Sequence, residues 1–385
     1  MKIVSVVGAR PNFMKIAPFI RAIEKHNQQG QTPSIEHILV HTGQHYDDRM
    51  SKRFFEELSI PDADINLGIG SGTHAEQVGN TMIALEKVLK SEKPDWVVIA
   101  GDINAILAGA ITAKKENILC AHIEAGLRSG DMTMPEEINR LVADRLCDLL
   151  LTPDKMSSEN LRKEGVPEEK IKFVGNIMID TLEANREKAA ALNLQTIINN
   201  NKHPEQMPQH IRLTSASLAV LTMHRPSNVD HPDVLVPLVT FLTHEVANDM
   251  PLIWSIHPRT EKQLKMFGLW NKVLTTNNLL LLQPLGYHEM LKLNMDARIM
   301  LTDSGGLQEE CTVLGTPCLT LRWNTERPVT LKEYGGASVL VGNNVNRIRN
   351  KYKLTLQESR KPIRPELWDG HTAERCLQAI IQHRS

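Results

Sequence analysis

Long apolar runs are missing from this 385-residue chain. Nothing approaches the roughly 18 consecutive apolar residues that a membrane-spanning helix needs, so no membrane partner is expected. Cysteine is sparse too. Its five copies (Cys120, Cys147, Cys311, Cys318, Cys376) are odd in number, widely spaced and free of any Cys-x-x-Cys pair. That pattern predicts buried free thiols in a reducing compartment and no metal site. An excess of one charge sign is also lacking. The formal net charge of −1 offers no global field to hold nucleic acid or an anionic membrane. The glycine fingerprint Gly-x-Gly-x-x-Gly does not follow the first apolar run, which argues against a dinucleotide site in the first crossover. That first run, Met1 to Gly8, is too short for a secretory signal and leads directly into a strand pattern. A cytoplasmic protein is therefore expected.

What the chain does contain is alternation. Hydrophobic residues make up 41% and charged residues 23%, the balance of an ordinary globular protein, and the length exceeds one usual hydrophobic core. Short apolar runs (Ile3–Val7, Glu36–His41, Trp96–Ala100, Ile118–Ile123, Leu149–Thr152) alternate with helical-period segments. A second series follows over Ala219–Met223, Leu252–His257, Leu279–Leu282, Arg298–Thr302 and Cys318–Leu321. Strands alternating with helices imply parallel pairing through right-handed crossovers. The predicted class is α/β, with two Rossmann-like doubly wound domains facing across a cleft. The expected boundaries are 1–185 for the first domain, 186–216 for an Asn-, Gln- and Pro-rich linker with a surface excursion, and 217–368 for the second domain. A helix over about His371–His383, within 369–385, ends the chain.

Unusual polar clusters fall immediately after the predicted strands, where open α/β sheets bind ligands. Arg10 and Lys15 bring two cations to the mouth of the first crossover. Asp102 follows the strand Trp96–Ala100 and serves either as a helix cap or as an acid/base group. Glu124 ends a buried-looking strand, where an unpaired carboxylate is costly. Pro135-Glu136-Glu137 opens a helix on which Glu136 and Arg140, four apart, share a face and can pair. In the second half, His224-Arg225 and His257-Pro258-Arg259 end successive strands in the manner of a phosphate site. Asp303-Ser304-Gly305-Gly306 joins a strand to a helix whose N-terminus suits an anion, and Glu310 lies one turn in, placed to accept hydrogen bonds from a diol. Arg327 follows the last strand of the series.

Taken together, the segments GARPNFMK, HTGQHYD, GDINA, HIEAGLRSGD with MPEEINR, VGNIMID, MHRPSNVD, HPRT, DSGGLQEE and NTERPVT resemble the non-hydrolysing UDP-N-acetylglucosamine 2-epimerase family over essentially the whole chain. The resemblance implies a glycosyltransferase-B-like fold, a homodimer, no cofactor, and reversible conversion of UDP-GlcNAc into UDP-ManNAc. The implied route is elimination of UDP to a 2-acetamidoglucal followed by re-addition. By the same resemblance Asp102, Glu124 and Glu136 match the catalytic carboxylates, and His224 matches the histidine at the leaving diphosphate. Arg10, Ser304, Gly305, Gly306 and Arg327 match pyrophosphate and sugar contacts, Glu310 the ribose contact, and Lys15 and Arg140 supporting basic residues. The C-terminal helix is implied to cross back onto the first domain. Two departures stand out. Ile103-Asn104-Ala105-Ile106 replaces a Thr/Ser-rich loop. Gln44-His45-Tyr46-Asp47 replaces the Gln-His-Arg-type loop of members activated by substrate. An epimerase for a C6-oxidised diacetamido UDP sugar shares much of the pattern, and a glycosyltransferase of the same fold is the more distant alternative.

Overall fold

The computed structural model describes residues 1–8, 10–43, 57–58, 60–209, 211 and 213–383, with the side chains of Arg10 and Pro11 not described. The loop 44–47 singled out above lies outside the described residues. The chain divides into two compact units, one made of Met1–Ala184 with Pro365–Ser385 and the other of Asn185–Arg364.

The first unit is built on a seven-stranded sheet in the order β3-β2-β1-β4-β5-β6-β7, all parallel. Its strands are β1 Lys2–Val7, β2 Glu36–His41, β3 Ile65–Asn66, β4 Trp96–Ala100, β5 Leu119–Ile123, β6 Leu149–Thr152 and β7 Ile171–Phe173. Strand β4 is buried along its whole length, as expected for a parallel strand covered by helices on both faces. The covering helices are α1 Arg10–Gln28, α2 His74–Glu92, α3 Asn104–Lys115, α4 Pro135–Leu146 and α5 Lys155–Lys163. Helix α2 starts on a reciprocal capping box between Thr73 and Glu76, which satisfies two of the amide donors a helix start leaves open. The chain leaves β1 for β2 on one side and later returns to pair β4 on the other. The carboxyl ends of β1 and β4 therefore border the switch point of the sheet.

The second unit repeats the plan with six parallel strands in the order β10-β9-β8-β11-β12-β13. They are β8 Leu218–Thr222, β9 Leu252–Ser255, β10 Leu279–Leu282, β11 Ala297–Thr302, β12 Cys318–Thr320 and β13 Ser338–Leu340. The switch point here lies between β8 and β11. Between the two series run α6 Ile177–Ala190 and α7 Leu194–Asn201. The polar stretch read as a surface excursion thus carries a helix. Ile197 and Ile198, interspersed among Asn and Gln, are buried against Val220, Leu280 and Leu282 of the second sheet.

Pro365–Ser385 rejoins the first unit. Its helix α8, Thr372–Gln382, buries Cys376, Leu377 and Ile380 and packs on α1. Trp368, 1% exposed, donates its indole N–H to the Pro153 carbonyl at 3.0 Å. Asp180 of α6 caps α8 from outside, accepting from the Thr372 amide at 3.0 Å and the Ala373 amide at 2.7 Å. Among the described residues no helix is long and apolar enough to cross a membrane.

Asp180 thus replaces an N-cap side chain that the helix itself lacks. Asp180→Ala should lower stability by about 1–2 kcal/mol, read as a reduced urea midpoint with an unchanged slope.

Candidate active site

In the first unit the strand ends are fixed from α1 and α4. The turn after β4 begins at Gly101, whose amide donates to the Ile123 carbonyl at 3.1 Å. Its φ of +82° lies in the region glycine occupies without steric cost. A Cβ there would come within 2.7 Å of Lys15 Nζ, so space as well as angle selects glycine. Asn12 in the first turns of α1 donates to the Ala100 carbonyl. One turn on, Lys15 reaches over to form an ion pair with Glu124. Both partners are buried, at 4% and 3% exposure. A carboxylate so desolvated needs a counter-charge, and Lys15 supplies it. Glu124 itself has φ +75°, an uncommon angle for a non-glycine residue. That angle turns the chain sharply at the end of β5 and sets the carboxylate beside Gly101.

Helix α4 supplies the second fixed pair. Arg140, 1% exposed, donates to Asp102 Oδ2 at 2.6 Å and to Glu137 Oε2 at 2.7 and 3.1 Å. The expected pairing of Arg140 with Glu136 does not occur. Glu137, at i−3, is the buried neighbour. Its carboxylate also accepts from the amides of Ser129 and Gly130 at 3.0 and 2.9 Å. Burial pushes the Glu137 carboxyl up, but those amides and Arg140 together hold it below the usual range. Glu136 is partly exposed in the first turn of α4. Asn139 completes the frame by donating to the Asp102 carbonyl at 2.9 Å.

In the second unit the site residues again gather at carboxyl ends. Asp303, fully buried after β11, accepts from the amides of His224 and Arg225 at 2.9 and 2.8 Å and from Asn228 Nδ2 at 3.0 Å, all on Oδ2. Its other oxygen lies 3.0 Å from His224 Nδ1. Burial raises the Asp303 carboxyl, while His224 and the surrounding amides outweigh this and hold it low. His224 keeps 41% of its side chain exposed, and its ring lies 5.2 Å from that of His257.

Ser304 occupies the N-cap position of helix α9 (here Gly305–Leu314) without a side-chain cap hydrogen bond. Its hydroxyl therefore takes none of the first-turn amides, which stay available to an anion. At Gly305 a Cβ would lie 2.8 Å from Arg327 Nη1 and 2.9 Å from Glu326 Oε1. Glycine is therefore required for the arginine to approach the helix start. Arg327 is nonetheless buried, at 6% exposure. It pairs with Glu326 and, through Nε at 2.8 Å, with Glu309, while Arg322 holds Glu326 from the other side at 2.6 Å. Arg327, matched in the sequence to a pyrophosphate and sugar contact, sits in a buried four-charge cluster beside the turn. Glu310, one turn along, is 4% exposed. Burial pushes its carboxyl up to about 7, against the opposing pull of Tyr287 and Asn294.

Of the residues singled out from sequence, Lys15, Asp102, Glu124 and Arg140 are brought together in one unit, with Glu136 on the same helix as Arg140. His224, Ser304, Gly305, Gly306 and Arg327 gather in the other. Arg10 opens α1, and its side chain is not described. Asn12, Glu137 and Asp303 were not singled out, and only their place at strand ends and helix starts could have marked them. Elsewhere, His203, Glu205 and Glu261 come within metal-binding reach of one another. The Lys265 ammonium already answers both carboxylates, at 2.9 and 2.7 Å.

A family profile described as UDP-N-acetylglucosamine 2-epimerase matches residues 27–381. A UDP-N-acetylglucosamine 2-epimerase of Methanocaldococcus jannaschii is 41% identical over 99% of both chains. A crystal structure of that organism's UDP-GlcNAc 2-epimerase, in complex with UDP-GlcNAc and UDP, superimposes with a TM-score of 0.86 at 40% identity and full coverage of both chains. A UDP-2,3-diacetamido-2,3-dideoxy-D-glucuronate 2-epimerase of Pseudomonas aeruginosa is 39% identical over 89% of this chain and 88% of its own. With a full-length relative above 40% identity and a profile match over most of its length, the chain belongs to the UDP-N-acetylglucosamine 2-epimerase family.

Proposed function

We propose that the protein interconverts UDP-N-acetylglucosamine and UDP-N-acetylmannosamine by elimination and re-addition of UDP. The observation that carries this reading is the set of carboxylates at one sheet edge. Asp102 and Glu124 are each held by a buried cation, and Glu136 lies in the first turn of α4, the helix that carries Arg140. Inverting C2 needs a proton acceptor on one face and a donor on the other, and paired, oriented carboxylates suit that work.

In the forward step the C2–H bond breaks and its electron pair forms the C1=C2 double bond. The C1–O bond breaks as that double bond forms, and its electrons leave on UDP. The products are 2-acetamidoglucal, UDP and a proton on the enzyme. Re-addition returns UDP oxygen to C1 and a proton to the opposite face of C2. Negative charge grows on the diphosphate as C1–O breaks. His224, aligned by Asp303, and the open first turn of α9 at Ser304, Gly305 and Gly306 are suited to hold it. In this reading Arg10 contacts the same diphosphate, Arg327 frames the turn from behind, and Glu310 accepts from the ribose diol. We further place the enzyme in the cytoplasm as a homodimer, a state that sedimentation measures directly.

Incubation with UDP-GlcNAc in D2O, without added cofactor, should yield UDP-ManNAc with deuterium at C2 of both sugars by NMR. Accumulation of free ManNAc and UDP would instead indicate a hydrolase. Silence with UDP-GlcNAc but turnover of the oxidised diacetamido sugar would move the substrate. Glu136→Gln should cut turnover by about 10²–10⁴-fold while leaving the UDP dissociation constant in place.

Two further outcomes follow from the second unit. Arg327→Ala leaves Glu309 and Glu326 buried with one cation fewer, and should destabilise that unit by about 3–5 kcal/mol in urea unfolding. Because the Glu310 carboxyl titrates near 7, its ionised form, the better acceptor for a diol, grows as pH rises from 6 to 8. UDP affinity should rise over that window and lie flat in Glu310→Gln. The stability effect has the opposite sign. The folded protein retains a proton that the unfolded chain has already lost, so this contribution to stability falls as pH rises from the ordinary glutamate range through 7.

A further inference from the structure

Behind the Asp102–Glu124 edge lies a second charged chain to which the proposed mechanism gives no role. His122, on β5 two residues before Glu124, is 0% exposed. Its Nε2 lies 2.8 Å from the Gly101 carbonyl and its Nδ1 2.6 Å from Asp144 Oδ1. Asp144, on α4, is 3% exposed and uses its other oxygen to accept from the Gly126 amide at 3.0 Å and from Arg128 at 2.7 Å. Arg128 is held in turn by Glu164, the residue that follows α5, through two 2.7 Å contacts.

Both partners of the His122 ring are acceptors: a carbonyl oxygen and a carboxylate. A neutral imidazole carries one N–H. It would therefore set a ring lone pair against an oxygen lone pair at one of the two contacts, at 2.6 or 2.8 Å in a site without water access. Only the doubly protonated ring donates to both. Burial pushes Asp144 up, yet His122 and Arg128 hold it ionised, below its usual range. The surrounding charges are consistent with this. Lys15 answers Glu124, and Arg140 answers Asp102 and Glu137, so Asp144 is left to His122 and Arg128.

The hydrogen bond ends on the one peptide whose direction decides where Asp102 points. Gly101 has its amide fixed to the Ile123 carbonyl and its carbonyl fixed to His122. Asp102, the next residue, leaves from a backbone already set on both sides. We propose that His122, held as an imidazolium between Asp144 and the Gly101 carbonyl, is a positioning residue that keeps Asp102 and Glu124 in one geometry through turnover. The inference rests on the acid/base roles assigned to those two carboxylates above.

The test uses the full chain with two substitutions and one spectrum. Glutamine places an amide N–H about where His122 Nε2 lies, so His122→Gln retains the donor to Gly101, whereas His122→Leu removes it. For His122→Leu, kcat should fall about 100-fold with KM for UDP-GlcNAc and the UDP dissociation constant within about threefold of wild type. His122→Gln should recover about tenfold of that loss. In 15N-histidine-labelled protein, two ring N–H correlations protected from exchange should be present and should vanish in His122→Gln. Equal impairment of two folded variants, or full activity in the leucine variant, overturns the positioning role. A single ring N–H overturns the imidazolium. Should the leucine variant fail to fold, the glutamine variant decides: kcat more than about 100-fold below wild type at normal stability refutes the inference. Full turnover in Asp102→Asn and Glu124→Gln would sink the acid/base reading instead, and the spectrum would still report on the His122 ring.

Discussion

The arrangement at the first sheet edge depends on cations buried beneath carboxylates. Glu124 and Glu137 are almost wholly withdrawn from water, and Asp102 leans on an arginine that is. Carboxylates so placed without partners would be expensive to ionise. Lys15 comes from α1 and Arg140 from α4, the helices that follow β1 and β5, so the ion pairs exist only once strands β1, β4 and β5 lie side by side. The parallel sheet is therefore a condition of the charges. Removing one cation would leave a buried anion behind, a loss several times larger than that of a surface pair.

The second unit uses the same edge for a different purpose. Asp303 has its Oδ2 covered by two amides and Asn228, and Glu326 is answered by Arg322 and Arg327. The His224 ring reaches partly into solvent, the α9 amides are left uncapped, and Arg327 stands behind Gly305. The cluster of Arg322, Glu326, Arg327 and Glu309 is close to neutral in sum. It thus fixes the shape of the turn without adding much net field. In the proposed function the pull on an anion would come from the helix start and from His224, which lies 3.0 Å from Asp303.

Much of this was legible in the sequence, for physical reasons that vary by element. Trp96–Ala100, Leu149–Thr152 and Leu279–Leu282 were located to the residue because a strand covered on both faces is apolar throughout. Strands β3, β7 and β13 left no comparable mark, being two or three residues long at sheet edges and partly exposed. The helix α7 hid because Ile197 and Ile198 are too few to impose a period on their Asn-rich surroundings. In the candidate site, spacing paired Arg140 with Glu136, four residues earlier, whereas the structure pairs it with Glu137. The choice of Glu137 is tertiary, set by the Ser129 and Gly130 amides that its carboxylate also binds. Likewise nothing local to Thr-Glu-Arg-Pro says that Arg327 turns inward, since Glu309 lies 18 residues earlier in the chain.

The same distinction explains why His122 escapes a reading by motif. A histidine on a buried strand is ordinarily a satisfied core residue, and by hydrogen-bond count this one is satisfied. Its significance lies in the kind of partner on each nitrogen. Two acceptors force two donors, two donors force a charge, and a charge at full burial requires the ionised Asp144 beside it. Asp144 in turn binds the Gly126 amide and Arg128, so the geometry at Gly101 is tied through one ring to β5, α4 and α5. The proposed reaction, with a proton acceptor on one face of a carbon and a donor on the other, would need a rigid turn, because an acid or base displaced by an ångström loses much of its effect. The fold supplies that rigidity from the interior, through groups that need not touch the substrate.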